Sequence, residues 1–125
     1  MTTDVAQRKI LIIEDDADLL MLVRHVLERE GYRVFVASNG ADGILVNERE
    51  DPDLILLDLR MPDMDGIETL RNIRECDKKV LVVILTGYGC PDTIREAADL
   101  KVSEYLSKPF ANKDLAGVIG KALLP

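Results

Sequence analysis

Short runs of branched apolar residues recur along the chain, and each run is continuous rather than alternating. The clearest four are Ile10–Ile13, Val34–Val36, Leu54–Leu57 and Val80–Leu85. Continuous runs of this length are typical of strands that are covered on both faces, as in a parallel sheet. A weaker fifth candidate, Ser103–Ser107, precedes Lys108 and Pro109. The pattern therefore predicts five buried parallel strands.

The segments between these runs have the length of helices. The first, from about Asp16 to Glu30, carries an apolar face and is followed by Gly31. A weaker pattern follows Asn39-Gly40. Asp65-Gly66 is predicted to cap a helix that carries Ile67, Leu70 and Ile73. Pro91 is predicted to begin a helix whose apolar face offers only Ile94, Ala97 and Ala98. The last segment has the cleanest helical spacing, which ends near Leu124 and is formed by Leu115, Val118, Ile119, Ala122 and Leu123.

Asn39-Gly40 is also compatible with a hairpin turn. We reject the hairpin because strand-length runs alternate with helix-length gaps along the whole chain. Such alternation requires crossover connections between parallel strands. The sequence thus predicts an α/β fold of five βα units.

Length and composition limit the function further. The chain has 125 residues and a formal net charge of −7, so we expect one domain over residues 1–125 with no output domain. The negative charge argues against direct binding of nucleic acid. Cys76 and Cys90 lie far apart, and no apolar run is long enough for a signal peptide or a membrane span. We expect a soluble, cytoplasmic protein without a membrane contact.

Polar residues follow the predicted strands directly. They are Glu14, Asp15 and Asp16 after the first strand, Asp58 after the third, Thr86 after the fourth and Lys108 after the fifth. Because the carboxyl ends of parallel strands meet at one edge of a sheet, these side chains should lie close together. Converging carboxylates repel one another unless a cation neutralises them, and a set of oxygen donors suits Mg²⁺.

This set of residue types is suited to phosphoryl transfer. Asp58 can act as the nucleophile, while Lys108 and the Thr86 hydroxyl stabilise charge on the transferred oxygens. Each residue also has an ordinary structural explanation: Asp15 and Asp16 as helix caps, Thr86 as a turn residue, and Lys108 as a solvated surface charge. Their joint position after four strands favours the functional interpretation. His25 is interpreted as a residue of the first helix without a chemical role.

Four stretches of the chain resemble the receiver domains of two-component response regulators. They are ILIIEDD at 10–16, LILLDLRMPDMDG at 54–66, LTG at 85–87 and YLSKPF at 105–110. The resemblance spans nearly the whole chain. It implies a flavodoxin-like, doubly wound sandwich whose parallel strands have the order 2-1-3-4-5.

The resemblance also assigns roles to individual residues. It implies that Asp58 is the phosphoacceptor, that Asp15 binds Mg²⁺ directly and Glu14 through water, and that the backbone carbonyl of Arg60 is a further ligand. Mn²⁺ would substitute for Mg²⁺. Lys108 would contact the phosphoryl group, while Thr86 and Tyr105 would form the switch. Arg60 and Tyr88 match positions that tune dephosphorylation, and both are bulky here.

The implied activity is phosphorelay signalling without conventional enzymatic turnover, although the domain would catalyse its own phosphorylation and dephosphorylation. The donor would be a phosphohistidine on a sensor histidine kinase or a phosphotransfer protein. The signal would leave through the face formed by the fourth helix, the fifth strand and the fifth helix, to a downstream protein or output domain. A dimer that forms on phosphorylation is also consistent with the family.

Some positions depart from the commonest family pattern. Glu14 replaces a more frequent aspartate, Gly87 replaces alanine, and Lys101-Val102 stands where glycine-alanine often precedes the fifth strand. None of these changes removes a required functional group.

Three other functions compete with this one. A receiver-like module that docks partners without phosphorylation usually lacks an acid, the acceptor or the lysine, and all are present here. A haloacid-dehalogenase-type phosphatase requires a second aspartate two residues after the nucleophile, where this chain has Arg60. A flavodoxin requires a phosphate-binding loop after the first strand, where this chain has acidic residues.

Overall fold

Five parallel strands and five helices alternate along the chain. A computed structural model describes residues 7–60, 66–87 and 91–124, with the backbone alone for 91–94. The strands are β1 (Lys9–Ile13), β2 (Arg33–Ala37), β3 (Leu54–Asp58), β4 (Leu81–Thr86) and β5 (Glu104–Ser107). The helices are α1 (Ala17–Arg29), α2 (Gly40–Glu50), α3 (Gly66–Cys76), α4 (Pro91–Asp99) and α5 (Asn112–Ala122).

The strands form one sheet in the order β2-β1-β3-β4-β5. All four pairings are parallel, with Ile13 beside Ala37 and Leu57, and Asp58 beside Leu85. This arrangement confirms the predicted doubly wound fold and its strand order. Asn39 begins a helix rather than a hairpin, since its side chain accepts a hydrogen bond from the backbone N–H of Asp42 at 2.8 Å.

The core consists of two apolar layers, one on each face of the sheet. One layer includes Leu11, Ile55 and Leu70, and the other includes Ile12, Leu27 and Leu115. Successive side chains of a strand point to opposite faces, which explains why continuous apolar runs are required here. Complete coverage on both faces was correctly predicted for β3 but not for β2, where Val34 and Val36 are only half-buried at the sheet edge.

The helix predictions differ in how closely the structure matches them. α1 begins one residue after Asp16, which caps it, and α5 ends at Ala122 rather than near Leu124. α4 begins at the predicted Pro91, with Ala97 buried and Ala98 exposed on its described part. Among the described helices, none combines the length and apolar character needed to cross a membrane.

Several sequence predictions concern residues that the structure does not describe. The Asp65 cap, Tyr88, Cys90 and the Met61–Met64 part of the family motif all lie outside the described residues. The side chain of Ile94, predicted on the apolar face of α4, does as well.

Arg74 fixes the loop that precedes β5. Its buried guanidinium donates from Nε to the Leu100 carbonyl at 2.8 Å and from Nη2 to the Lys101 carbonyl at 3.1 Å. A third hydrogen bond reaches the carbonyl of Asp77 at 3.2 Å. Lys101 itself has a φ of 62°, a conformation that favours glycine. This explains why glycine is frequent at this position, and Arg74 holds the loop although lysine replaces it.

We predict that Lys101→Gly stabilises the protein by about 0.5–1 kcal/mol. A left-handed backbone costs an ordinary residue roughly 1–2 kcal/mol, and the greater freedom of unfolded glycine offsets part of the gain. Urea denaturation of Lys101→Gly and the control Lys101→Ala, which keeps a Cβ atom, measures the effect. Equal stability of the two variants would contradict this explanation.

Candidate functional site

The carboxyl ends of two neighbouring strands bring an acidic cluster together. Glu14 and Asp15 follow β1, and Asp58 is the last residue of β3, the neighbouring strand. One carboxylate oxygen from each of these residues lies within 4.8 Å of the other two. Glu14 is 1% and Asp58 3% exposed, whereas Asp15 is exposed. The predicted convergence of these three acids is therefore confirmed.

Asp16 does not belong to this cluster. Its Oδ1 accepts hydrogen bonds from the backbone N–H groups of Asp18 at 3.0 Å and Leu19 at 3.2 Å, which caps α1. The capping interpretation was thus right for Asp16 and wrong for Asp15, whose carboxylate lies in the acidic cluster. Asp16 still acts on the site, because its backbone N–H donates to Glu14 Oε2 at 3.1 Å.

Lys108 joins the two buried acids. Its Nζ lies 3.1 Å from Glu14 Oε1 and 3.3 Å from Asp58 Oδ2. The backbone N–H of Lys108 donates to the Thr86 carbonyl at 2.8 Å, which fixes the start of the side chain next to β4. Burial disfavours the charged form, but the hydrogen bond to Glu14 and the negative charge of Asp58 outweigh it and raise the pKa of Lys108. Lys108 is therefore a charged member of the site and not a solvated surface lysine.

Glu14 carries the largest electrostatic perturbation of the site. Burial first, and then its hydrogen bonding to Asp58, raises the pKa of Glu14 to about 7. The Asp16 N–H and Lys108 act in the opposite direction and are too weak to cancel this. Two buried carboxylates thus compete for one lysine, and additional positive charge at the site would favour the ionised form of both.

Thr86 and Arg60 border Asp58. Thr86 is buried at the end of β4, one residue beyond the Leu85 that pairs with Asp58. The backbone N–H of Arg60 donates to Asp58 Oδ1 at 3.0 Å, while the Arg60 side chain is exposed. This hydrogen bond orients the Asp58 carboxylate from its own loop.

Tyr105 lies on β5, further from the acids. It pairs with Ile84, is half-buried, and packs against the apolar layer that includes Ile55. Burial raises the pKa of its hydroxyl. The structure therefore places Tyr105 beside β4, the strand that ends at Thr86.

Gly66 has a role that the sequence analysis did not assign. A Cβ atom added to it would lie 2.4 Å from Leu59 Cα and 2.7 Å from the Asp58 carbonyl oxygen. Its N–H also donates to the Leu59 carbonyl at 3.0 Å. Only glycine lets α3 begin this close to the end of β3. The Asp65-Gly66 pair was interpreted as a helix start, and close backbone approach leaves no separate mark in the sequence. By contrast, a Cβ atom at Gly87 would meet no atom of the described residues within 4 Å, so packing against them does not explain the absence of alanine there.

The response regulator receiver domain family matches residues 10–119, and the chain belongs to this family. Sporulation initiation phosphotransferase F of Bacillus subtilis (strain 168) is 37% identical over 92% of this chain and 93% of its own length. The alkaline phosphatase synthesis transcriptional regulatory protein PhoP of the same organism is 32% identical, but this chain covers only 48% of it.

Solved structures agree with this assignment. A CheY-like receiver domain protein of Methanospirillum hungatei JF-1 has a TM-score of 0.89 and 29% identity over 93% of both chains. Chemotaxis protein CheY4 of Vibrio cholerae has a TM-score of 0.89 and 27% identity over 94% of this chain and 100% of that one. The family resemblance and the flavodoxin-like fold are confirmed. Because receiver domains act in phosphorelays with histidine kinases or phosphotransfer proteins, the chain is a phosphorelay signalling domain.

The raised pKa of Glu14 predicts a pH-dependent stability in the absence of divalent cations. Between the unfolded value of 4.5 and the folded value of about 7, the folded protein holds more protons than the unfolded chain. Stability from this group is complete below pH 4.5 and is lost as the pH rises through 7. We expect the difference in unfolding free energy between wild type and Glu14→Gln to change by on the order of 2–3 kcal/mol between pH 5 and 8.

Urea denaturation with a chelator at both pH values measures this difference. Asp18→Asn removes an exposed carboxylate from α1 and serves as the control. Parallel pH profiles for wild type and Glu14→Gln would show that Glu14 does not titrate in this range.

Proposed function

We propose that the chain accepts a phosphoryl group on Asp58 with the aid of Mg²⁺ and transmits this change to a protein-binding surface. The observation that carries the proposal is the position of Lys108, whose Nζ is 3.3 Å from Asp58 Oδ2 and 3.1 Å from Glu14 Oε1. A phosphoryl group on Asp58 would bring negative oxygens next to a cation that is already held in place.

The donor set fits a hard divalent cation. Glu14, Asp15 and Asp58 offer oxygen ligands only, and three carboxylates with one lysine leave a net charge of −2 that Mg²⁺ balances. Mn²⁺ satisfies the same requirement. Asp15 and the Arg60 carbonyl would be direct ligands, and Glu14 would bind through water. When bound, the cation would neutralise the acids and offset charge on the phosphoryl oxygens.

The chemical step requires an in-line approach to Asp58. A carboxylate oxygen of Asp58 forms the new P–O bond as the P–N bond of a donor phosphohistidine breaks, and the electron pair leaves with the imidazole. The Arg60 N–H holds the other carboxylate oxygen, Oδ1, at 3.0 Å and so limits rotation of the nucleophile. Lys108 and the Thr86 hydroxyl would stabilise the transferred oxygens.

Thr86 and Tyr105 are proposed as the switch. Thr86 lies at the end of β4, and Tyr105 is half-buried on the adjacent β5. Movement of the Thr86 hydroxyl toward a phosphoryl oxygen would free space that the Tyr105 ring then fills. The exposed surface of α4, β5 and α5 would repack, and a downstream protein or output domain would bind there. The same surface would support a dimer that depends on phosphorylation.

The upstream partner is proposed to approach between α1 and the segment after β5. An open groove of about 630 Å³ lies there, lined by Leu19, Leu22 and Phe110 beside Lys108. Leu22 is 46% and Met21 59% exposed. A histidine kinase or phosphotransfer protein that covers this apolar surface would bring its phosphohistidine to the edge of the sheet that holds Asp58.

Several wider predictions belong to the same proposal. The chain would work in the cytoplasm as a receiver domain, and its self-catalysed steps would not amount to conventional enzyme turnover. Arg60 and Tyr88 would screen the aspartyl phosphate from attacking water and lengthen its lifetime. The exposed Arg60 side chain next to the oriented Asp58 supports this role.

A docking module that needs no phosphorylation is the alternative. It would have no use for a buried nucleophile, a bridging lysine and a third convergent acid, because burying these charges is costly. The complete site therefore favours phosphoryl acceptance.

Incubation with acetyl phosphate tests this proposal. We expect one covalent phosphoryl adduct in the intact mass, dependent on Mg²⁺ and absent from Asp58→Asn. Asp53→Asn, which alters an exposed aspartate at the other edge of the sheet, serves as the control and should keep the adduct. A folded protein that never gains the adduct, while a known receiver does, would favour the docking module.

The switch proposal predicts that Thr86→Ala separates phosphorylation from its consequence. The variant should still take up the phosphoryl group, but the chemical-shift changes of Tyr105 and β5 should be largely lost. Ser107→Ala is a matched control, since Ser107 is an exposed hydroxyl residue that pairs with Thr86 on the next strand. If phosphorylation of Thr86→Ala causes chemical-shift changes as large as in the wild type, Thr86 is not part of the switch.

A further inference from the structure

A second concave surface lies at the edge of the sheet opposite Asp58. This cleft, of about 710 Å³, is lined by the ends of α2 and α3 and by the segments that lead into β3 and β4. Its volume falls in the range typical of small-molecule sites. None of the residues assigned to phosphoryl transfer lines it.

The cleft has an apolar part. Ile73, Val80 and Pro52 line it and are buried, and the half-buried Ile44 lies beside them. The half-buried Ile44 offers an apolar surface to methylene groups, and the three buried side chains lie behind it. A ligand of this cleft would therefore contain an aliphatic segment.

Asn47 supplies the observation that points to a ligand. It lines the cleft, is only 6% exposed, and its Oδ1 has no hydrogen-bond partner among the described residues. A buried acceptor without a donor is uncommon because its desolvation is not compensated. A ligand N–H group that enters beside Asn47 would provide the missing donor.

The charges around the cleft are mainly negative. The carboxylates of Glu48 and Asp51 are exposed and form no hydrogen bond or ion pair within the described parts of the chain. Asp53 and Asp77 are already engaged, since they accept backbone N–H groups of Lys9 and of residues 79 and 80. The carboxyl-terminal ends of α2 and α3 add partial negative charge. Lys79 is the opposing cation that lines the cleft.

We propose that this cleft binds a small aliphatic polyamine. One ammonium group would donate a hydrogen bond to Asn47 Oδ1, the methylene chain would lie on Ile44, and a second ammonium group would face Glu48 and Asp51. A bare divalent metal ion fits less well. Among the described residues, the carboxylates close enough to share a metal are those of Glu14, Asp15 and Asp58, at the other edge.

Spermidine is the probe for the test, titrated into the full chain with Mg²⁺ in excess to occupy the acids at the Asp58 edge. ¹⁵N-resolved NMR should show saturable shifts confined to the residues around the cleft. The double variant Glu48→Gln/Asp51→Asn should weaken binding at least about tenfold. Asp18→Asn/Glu28→Gln removes the same charge from α1 and should leave the affinity within about twofold.

Asn47→Leu tests the buried acceptor separately. Leucine is close in size and removes the unpaired oxygen, so the variant should be at least as stable as the wild type toward urea and should bind spermidine several-fold more weakly. Unchanged affinity in this variant would rule out the contact with Asn47 Oδ1.

Two results would overturn the proposal as a whole. One is that spermidine shifts resonances on all acidic surfaces, and that Glu48→Gln/Asp51→Asn and Asp18→Asn/Glu28→Gln reduce its affinity equally. The other is saturable binding of a lysine-rich peptide at the cleft where spermidine fails, which would make it a site for a basic protein segment. Neither result depends on the phosphorylation of Asp58, which the mass measurement reports independently.

Discussion

The contact of one lysine with two buried carboxylates is the interaction on which the functional edge of the sheet depends. Asp58 and Glu14 are almost completely inaccessible, and Lys108 Nζ lies within 3.3 Å of both. Burying two like charges side by side is unfavourable without a counter-charge, and removing the single partner of a buried charge costs about 3–5 kcal/mol. Lys108 also links the end of β5 to the ends of β1 and β3 across β4. The charged residues of the site therefore also help to hold this edge of the sheet together.

This balance also explains why the site is ready for a further change in charge. Lysine offers one positive charge to two buried acids, and the raised pKa of Glu14 reports the deficit. In the proposed function, a divalent cation would supply the missing charge, and the phosphoryl group would then add negative charge beside Lys108. Each step would alter the electrostatics at the ends of β1, β3 and β5. Of these strands, β3 and β5 flank Thr86 on β4, and β5 carries Tyr105. A local charge change thus has a direct route into the packing of the sheet.

Much of the fold was predictable because the sequence patterns that indicate it extend over only a few consecutive residues. Buried strands must be continuously apolar, so β1, β3 and β4 were located to within one residue, and the polar residues at their ends identified the site. The strand order came from the family resemblance, since apolar runs do not determine which strands are neighbours. The residue types alone did not distinguish Asp15 from Asp16, and the family resemblance was what assigned Asp15 to the site. Asp15 joins the cluster and Asp16 caps α1 because of the direction that the chain takes after Ile13. The positive φ of Lys101 and the close approach of Gly66 to Leu59 depend in the same way on three-dimensional placement.

Both edges of the sheet carry an excess of negative charge, but the ligands proposed for them differ. At the carboxyl edge, strand ends bring three carboxylates within 4.8 Å, and Lys108 fixes two of them. Carboxylates this close together suit a compact hard cation, because direct coordination by several oxygens offsets the cost of dehydrating it. At the amino edge, Glu48 and Asp51 line a partly apolar cleft together with Asn47, and no three carboxylates of the described residues converge there. Charge spread around an apolar surface favours a cation that is itself extended and partly apolar. If both proposals hold, the spacing of the carboxylates, more than the net charge of −7, determines which cation each edge binds.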